Sequence, residues 1–326
     1  MNTASVIEVQ NICHTYKQGS GTKVGAAANA LQNVTFNVMP GEIFGLLGPN
    51  GGGKTTLFRI LSTLLSPASG HARILGEDVV LSAAKVRNRV GIVFQTQSLD
   101  RKLTVTENLI HQGHLYGMRG ASLRHRIQQV LEQFRLIERA SDRVETLSEG
   151  MKRRVELAKG FLHRPRVLLL DEPSTGLDPG ARLDFWRYLE VLNKVEGATV
   201  LLTTHFMDEA EKCHRLAILD RGKLVAMDSP EALKTSVGGD VIVVRTRNPE
   251  AMSQALRERF GDPVSTVGDT IRIERPKGHE FIAELFEAFP GRIEAVTVSK
   301  PSLEDVFIHQ TGHVFWEEDS KSQNLN

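Results

Sequence analysis

The run Gly48-Pro49-Asn50-Gly51-Gly52-Gly53-Lys54-Thr55-Thr56 constrains the fold more than any other stretch of the chain. It matches G-x-x-x-x-G-K-[ST] and lies between a short apolar strand, Glu42 to Leu47, and a helical pattern. Glycines at this spacing let backbone N–H groups turn inward around a phosphate at a helix N-terminus. Lys54 brings a mobile positive charge to the β- and γ-phosphates of a nucleotide, and the Thr55 hydroxyl suits Mg2+, a cation that takes oxygen ligands and keeps some waters. The matching half of such a site is Val167-Leu168-Leu169-Leu170-Asp171-Glu172. An apolar strand ending in two acids puts Asp171 beside the metal. Glu172, one residue further out, suits a general base for an attacking water.

The rest of the first 236 residues supplies a frame for that pair. Ile7 to Tyr16 and Ala30 to Val38 read as strands joined by a polar loop, Lys17 to Asn29. Val90 to Gln95, Arg166 to Leu170 and Thr199 to Thr203 are apolar runs of strand length, with helical material at Ala181 to Lys194. Apolar strands alternating with helices predict a parallel sheet covered on both faces, hence an α/β fold. Thr104 and Glu107 stand at capping-box spacing, and helical patterns run from there to about Leu162. Arg215 to Asp220 and Lys223 to Met227 read as two short strands about Arg221-Gly222.

From about Gly238 the pattern becomes β-α-β-β-α-β: Asp240 to Thr246, Pro249 to Phe260, two strands around Gly268-Asp269, Glu280 to Phe289 and Arg292 to Ser299. That order predicts a small α+β ferredoxin-like domain over 238–312. Ser302 and Asp305 then cap a final helix, and 313–326 reads as a disordered tail. A chain of 326 residues with a formal net charge of +1 has no basic excess pointing to nucleic acid, so no nucleic-acid partner is expected. Cys13 and Cys213 stand in no metal-ligand spacing and read as reduced thiols. Met1 to Val6 shows no secretory pattern, and no stretch approaches the roughly 20 apolar residues of a spanning helix. A membrane role would therefore run through a partner.

Leu147-Ser148-Glu149-Gly150-Met151, shortly before the Asp171-Glu172 strand, resembles the LSGGQ signature of ATP-binding-cassette (ABC) proteins. The resemblance covers about residues 5–236, and the other motifs follow in the family's order. It implies a P-loop NTPase with a RecA-like core, an antiparallel β subdomain and a helical subdomain over about 97–160. It also implies a role for each matching residue. Tyr16 would stack on adenine, Gln95 would reach Mg2+ or the lytic water, and His205 would contact the γ-phosphate. Ser174-Thr175-Gly176-Leu177-Asp178 would be the family's D-loop, and Asp178 would help bind the nucleotide. Ser148 and Gly150 would meet the γ-phosphate of ATP held by a second cassette, in a homodimer. Glu149 departs from the family's glycine, and Lys152, Arg153 and Arg154 would screen its charge. His111 and His114 share a helical face and read as a partner or solvent face.

The runs Pro40 to Gly48, Ser98-Leu99-Asp100, Leu103 to Leu109 and Pro301 to Phe307 are similar to ATPase subunits of ABC-2-type exporters of the drug-resistance and nodulation-factor kind. That similarity implies a motor on the cytoplasmic face of the membrane, coupling Mg-ATP hydrolysis to export through a separate polytopic permease. Two other readings stay open: a cassette ATPase of translation or DNA maintenance, and a low-turnover nucleotide-dependent regulator.

Overall fold

The computed structural model describes residues 4–16, 28–261 and 264–315. The chain divides into two compact units, Met1–Leu224 and Val225–Asn326. In the first, β1 (Ile7–Tyr16), β2 (Ala28–Val38) and β3 (Ile43–Leu47) lead through the glycine run into α1 (Lys54–Leu61). β4 (Ser69–Ile74), β5 (Glu77–Asp78) and the short α2 (Ala83–Arg87) precede β6 (Val90–Val93). A helical segment follows, with α3 (Val105–Leu115), α4 (Gly120–Gln133) and α5 (Glu149–Phe161). Then come β7 (Val167–Asp171), α6 (Pro179–Lys194), β8 (Thr199–Thr204), α7 (Met207–Ala210) and β9 (Arg215–Asp220). β10 (Lys223–Asp228) carries the chain into the second unit.

Two sheets result. The smaller has the order β2-β1-β4-β5, with antiparallel pairing. The larger has the order β10-β9-β3-β8-β7-β6, and β9, β3, β8, β7 and β6 pair in parallel. Every position of β3, β7 and β8 is buried, as expected of strands covered on both faces. Because β3, β8 and β7 are neighbours, the residues after their C-terminal ends emerge side by side. Sites in open α/β sheets form at that edge. One apolar core runs from Leu109, Leu123 and Phe134 of the helical segment to Leu168 and Leu170 under the sheet. Truncating Phe134 to alanine there costs about 3–5 kcal/mol.

The second unit holds α8 (Pro230–Ser236), β11 (Asp240–Arg245), α9 (Pro249–Phe260), β12 (Val264–Val267), β13 (Thr270–Arg275), α10 (Gly278–Ala288), β14 (Ala295–Ser299) and α11 (Leu303–Thr311). Its sheet is antiparallel with the order β12-β13-β11-β14, the split β-α-β arrangement. Ile242, Val244, Ile271 and Ile273 form a core with Met252, Leu256, Phe281 and Leu285 of α9 and α10. From β13, Arg272 pairs with Asp305 of α11. The unit begins earlier than position 238 because α8 packs against α11.

Several boundaries move for identifiable reasons. β6 stops at Val93 instead of Gln95, since the Phe94 carbonyl accepts from Arg153 Nη1 at 2.8 Å. β14 starts at Ala295 because the Arg292 carbonyl accepts from Thr246 Oγ1 at 2.7 Å. Of the tail read as disordered, His313 and Phe315 pack edge-on against Phe307. Residues 316–326 lie outside the described residues, as do 17–27 of the Lys17 to Asn29 loop.

Candidate functional site

The glycine run closes on the larger sheet where no side chain fits. A Cβ on Gly48 would stand 2.3 Å from the Leu219 carbonyl oxygen, and Gly53 has φ 105°, a conformation glycine adopts at little cost. Lys54 begins α1 and is buried. Its Nζ donates to the carbonyls of Gly48 (2.6 Å) and Pro49 (3.0 Å) and lies 3.6 Å from Glu172 Oε1. Burial pulls the Lys54 pKa below its ordinary value against the opposing charge of Glu172. Thr55 is exposed at the helix start, and Thr56 is buried. Tyr16, at the end of β1, stays 40% exposed, with its hydroxyl 3.3 Å from Thr56 Oγ1. An exposed ring beside the first turn of α1 can take a flat aromatic ligand.

Glu172 is the centre of the constellation. Its residue follows β7 in the left-handed region, at φ 42°, and its N–H donates to Thr203 Oγ1 at 2.9 Å. Such a conformation costs about 1–3 kcal/mol and is held by its surroundings. The carboxylate is 9% exposed and faces three other loops. Gln95 Nε2 donates to its Oε2 at 3.2 Å, Thr175 Oγ1 donates to the same oxygen at 3.3 Å, and His205 Nδ1 lies 3.2 Å away. Burial alone would raise the Glu172 pKa. The His205 bond and the Lys54 charge outweigh it, and the carboxyl sits below its ordinary value. Asp171 behaves in the opposite way: burial, aided by the neighbouring Glu172 charge, lifts it, although Thr203 Oγ1 donates to its Oδ1 at 2.6 Å. Their surroundings thus push the two adjacent carboxyls in opposite directions.

Lys54, Gln95, Asp171, Glu172 and His205 therefore meet in one place, with Tyr16, Gly48 to Gly53, Thr55 and Thr56 around them. Ser148, Gly150 and Asp178 do not join them. They line a separate cleft of about 240 Å3 with Ala181 and Asp184, at the adjoining N-termini of α5 and α6. Ser148 caps α5, accepting from Met151 N at 3.3 Å, and Asp178 caps α6, accepting from Ala181 N at 2.9 Å. A Cβ on Gly150 would come 2.8 Å from Ala181 Cβ, so glycine lets the two helices approach. The signature residues thus line a cleft separate from the chain's own phosphate loop.

The basic run after Glu149 divides its labour differently from the sequence expectation. Lys152 Nζ donates to Glu149 Oε1 at 2.7 Å, and Gln97 Nε2 donates to its Oε2 at 2.6 Å. The Lys152 bond is the main reason the Glu149 carboxyl lies below its ordinary pKa. Arg153 turns away from Glu149 to backbone: it is buried, donating to the carbonyls of Phe94 and Pro173. Arg154 reaches the Tyr188 hydroxyl at 3.5 Å. Glu209 also escaped the sequence reading. It is 1% exposed and accepts from Ser174 Oγ and, at 2.7 Å, from Thr204 Oγ1, fixing the loops on either side of Glu172 and His205. Its only signal in sequence was an acid four residues after His205, too common a feature to carry weight. His111 and His114 are exposed, and among the described residues no group of three or more His, Cys, Asp or Glu side chains forms a metal cluster.

Residues 31–175 match the family model described as ABC transporter. The chain is 41% identical over 285 residues to a Nod factor export ATP-binding protein I of Paraburkholderia xenovorans, covering 86% of this chain and 92% of that protein. It is 38% identical over 294 residues to a daunorubicin resistance ATP-binding protein of Streptomyces coeruleorubidus, covering 87% and 91%. Among solved structures, a dimeric ATP-binding cassette in a post-hydrolysis state, bound to ADP and Pi, is 28% identical with a TM-score of 0.61, covering 68% of this chain and 98% of that one. The chain belongs to the ABC transporter family, as an ATP-binding subunit that hydrolyses ATP.

Proposed function

We propose that this chain powers export through a separate polytopic permease of the ABC-2 type, from the cytoplasmic face of the membrane, by closing head to tail on a second copy around two Mg-ATP. The observation that carries the reading is the convergence on Glu172 of Lys54, Gln95 and His205, each within 3.6 Å, from three different loops. Such a set can bind a triphosphate, hold a water and take its proton. Lys54 and the glycine-run N–H groups hold the phosphates, Tyr16 stacks on adenine, and Glu172 is the base. Gln95 and His205 orient the water and the γ-phosphate. The donor set available to Mg2+ is all oxygen: the Thr55 hydroxyl, the Asp171 carboxylate, and the Gln95 Oε1 left over once Nε2 is donated to Glu172. Bound there, the ion would neutralise charge on the phosphates.

Ser148, Gly150 and Asp178 complete the partner's site. Among the described residues no helix is long and apolar enough to cross a membrane, which supports a separate permease. A groove of about 680 Å3 between the ends of α3, α4 and α5, lined by Leu115, Tyr116, Met118, Arg126 and His163, suits a short helix of that permease. The relatives named for Nod factor export and daunorubicin resistance support a cargo of the drug, lipid or oligosaccharide class. The test uses a tagged Glu172→Gln variant, expressed in the native host and held in Mg-ATP. One multi-spanning protein should co-purify from gently solubilised membranes and be lost with Lys54→Ala. Recovery of only ribosomes or DNA-bound proteins would refute the transport reading.

A further inference from the structure

The departure at Glu149 has a structural counterpart that a glycine there could not supply. The segment that follows β6 is bonded to α5 at successive points along one face. The Phe94 carbonyl accepts from Arg153, and Gln97 donates to Glu149. Ser98 donates through its N–H (2.6 Å) and its hydroxyl (3.0 Å) to Glu156, and accepts from Lys159 Nζ at 2.8 Å. Positions 149, 152, 156 and 159 form a single stripe at helical spacing. The inner links are held by buried groups: Arg153 and Glu156 are 6% and 2% exposed. The Gln97–Glu149 link differs. Glu149 is 59% exposed, it is the residue between Ser148 and Gly150, and Lys152 on its other oxygen is 8% exposed. It is therefore the one tie in the series that reaches the surface where a partner's nucleotide would come to rest.

Gln97 lies two residues beyond Gln95, whose amide donates to Glu172. Phosphate arriving at Ser148 and Gly150 brings negative charge against the Glu149 carboxylate and competes for the Lys152 ammonium. Both effects weaken the hold of Glu149 on Gln97, and the loop carrying Gln95 is then free to shift against Glu172. We propose that Glu149 is a positioning residue that links the nucleotide site of the partner cassette to Gln95 in this chain's own site, making the two sites cooperative. This rests on the head-to-tail dimer proposed above.

The experiment is steady-state ATP hydrolysis by the full chain across ATP concentration, for wild type, Glu149→Gly, Gln97→Ala and the double variant. Glu149→Gln is added because its amide oxygen keeps a bond to Gln97 without the charge. Wild type should be cooperative, and each single variant should lower the Hill coefficient towards 1. The half-saturating ATP concentration should shift about fivefold, the low end of ordinary coupling, with maximal turnover within about twofold. The double variant should be no worse than either single one, and Glu149→Gln should fall between. Gln97 is exposed, so Gln97→Ala keeps the test open if Glu149→Gly folds poorly. Additive losses in the double variant, or unchanged cooperativity in both single variants, would overturn the linkage. Hydrolysis that survives Glu172→Gln would instead strike at the site assignment beneath it.

Discussion

Replacing Arg153 with methionine tests how the site is held, because it removes the guanidinium while keeping a long apolar stem. The side chain is 6% exposed. It donates to the Phe94 carbonyl at 2.8 Å and at close range to Pro173, with longer approaches to the carbonyls of Asp171 (3.4 Å) and Glu172 (3.5 Å). The two short bonds are charge-assisted, worth about 1.5–3 kcal/mol each, and their loss strands buried acceptors. Against that, the variant no longer buries a guanidinium, whose pKa burial already lowers. A net loss of about 2–4 kcal/mol follows, a large share of the ~5–15 kcal/mol a domain possesses. With an m-value of about 2–3 kcal/mol/M, the urea midpoint of the first unit should fall by roughly 1–2 M. Turnover of the folded variant should drop about tenfold to a hundredfold, since misplacing Glu172 by an ångström is enough for the larger figure. Arg153→Lys, able to reach one carbonyl at a time, should land between. A methionine variant with the wild-type midpoint and turnover would refute the idea that this arginine builds the site.

Other outcomes follow from the same contacts. Glu172→Gln should cut turnover by about 10²–10⁴ while fluorescent ATP analogues still bind, the range for loss of a general base. In wild type the acid limb of the pH–rate profile should lie below the ordinary glutamate value of 4.5. His205→Ala removes the bond that holds the carboxyl down, leaves burial dominant, and should move that limb to higher pH. The same depressed pKa makes Glu172 stabilising above the ordinary glutamate value, and urea midpoints should register that contribution fading as pH falls through the folded pKa. Gly150→Ala forces a Cβ against Ala181 and should cost about 1–3 kcal/mol by denaturation, while weakening ATP-dependent dimerisation seen by light scattering.

Much of the fold was legible because its strands are short apolar runs with abrupt polar ends. Leu170 to Glu172 and Thr203 to His205 marked both a strand end and a candidate group in the same few letters. The phosphate loop declared itself through glycines that only a backbone-lined turn requires. Arg153 and Glu209 stayed hidden for a common reason. Arg153 works on the carbonyls of Phe94 and Pro173 and Glu209 on the Ser174 hydroxyl, all remote in sequence, so no local spacing reports them, and Arg153 looked like one more cation in a surface run. The Gln97–Glu149 bond was invisible for the same reason. Glu149 could be noticed only as an odd letter in a motif.

The adjoining helix starts that carry Ser148 and Asp178 have a consequence for the rate of assembly. Both side chains are already fixed by their own helices, and the glycine contact with Ala181 locks the two starts together. Freezing a rotamer-rich side chain at an interface ordinarily costs about 0.5–1.5 kcal/mol. In the head-to-tail dimer proposed above, little remains to be frozen at this surface when the second subunit docks, and closure needs no slow search among its side-chain conformations.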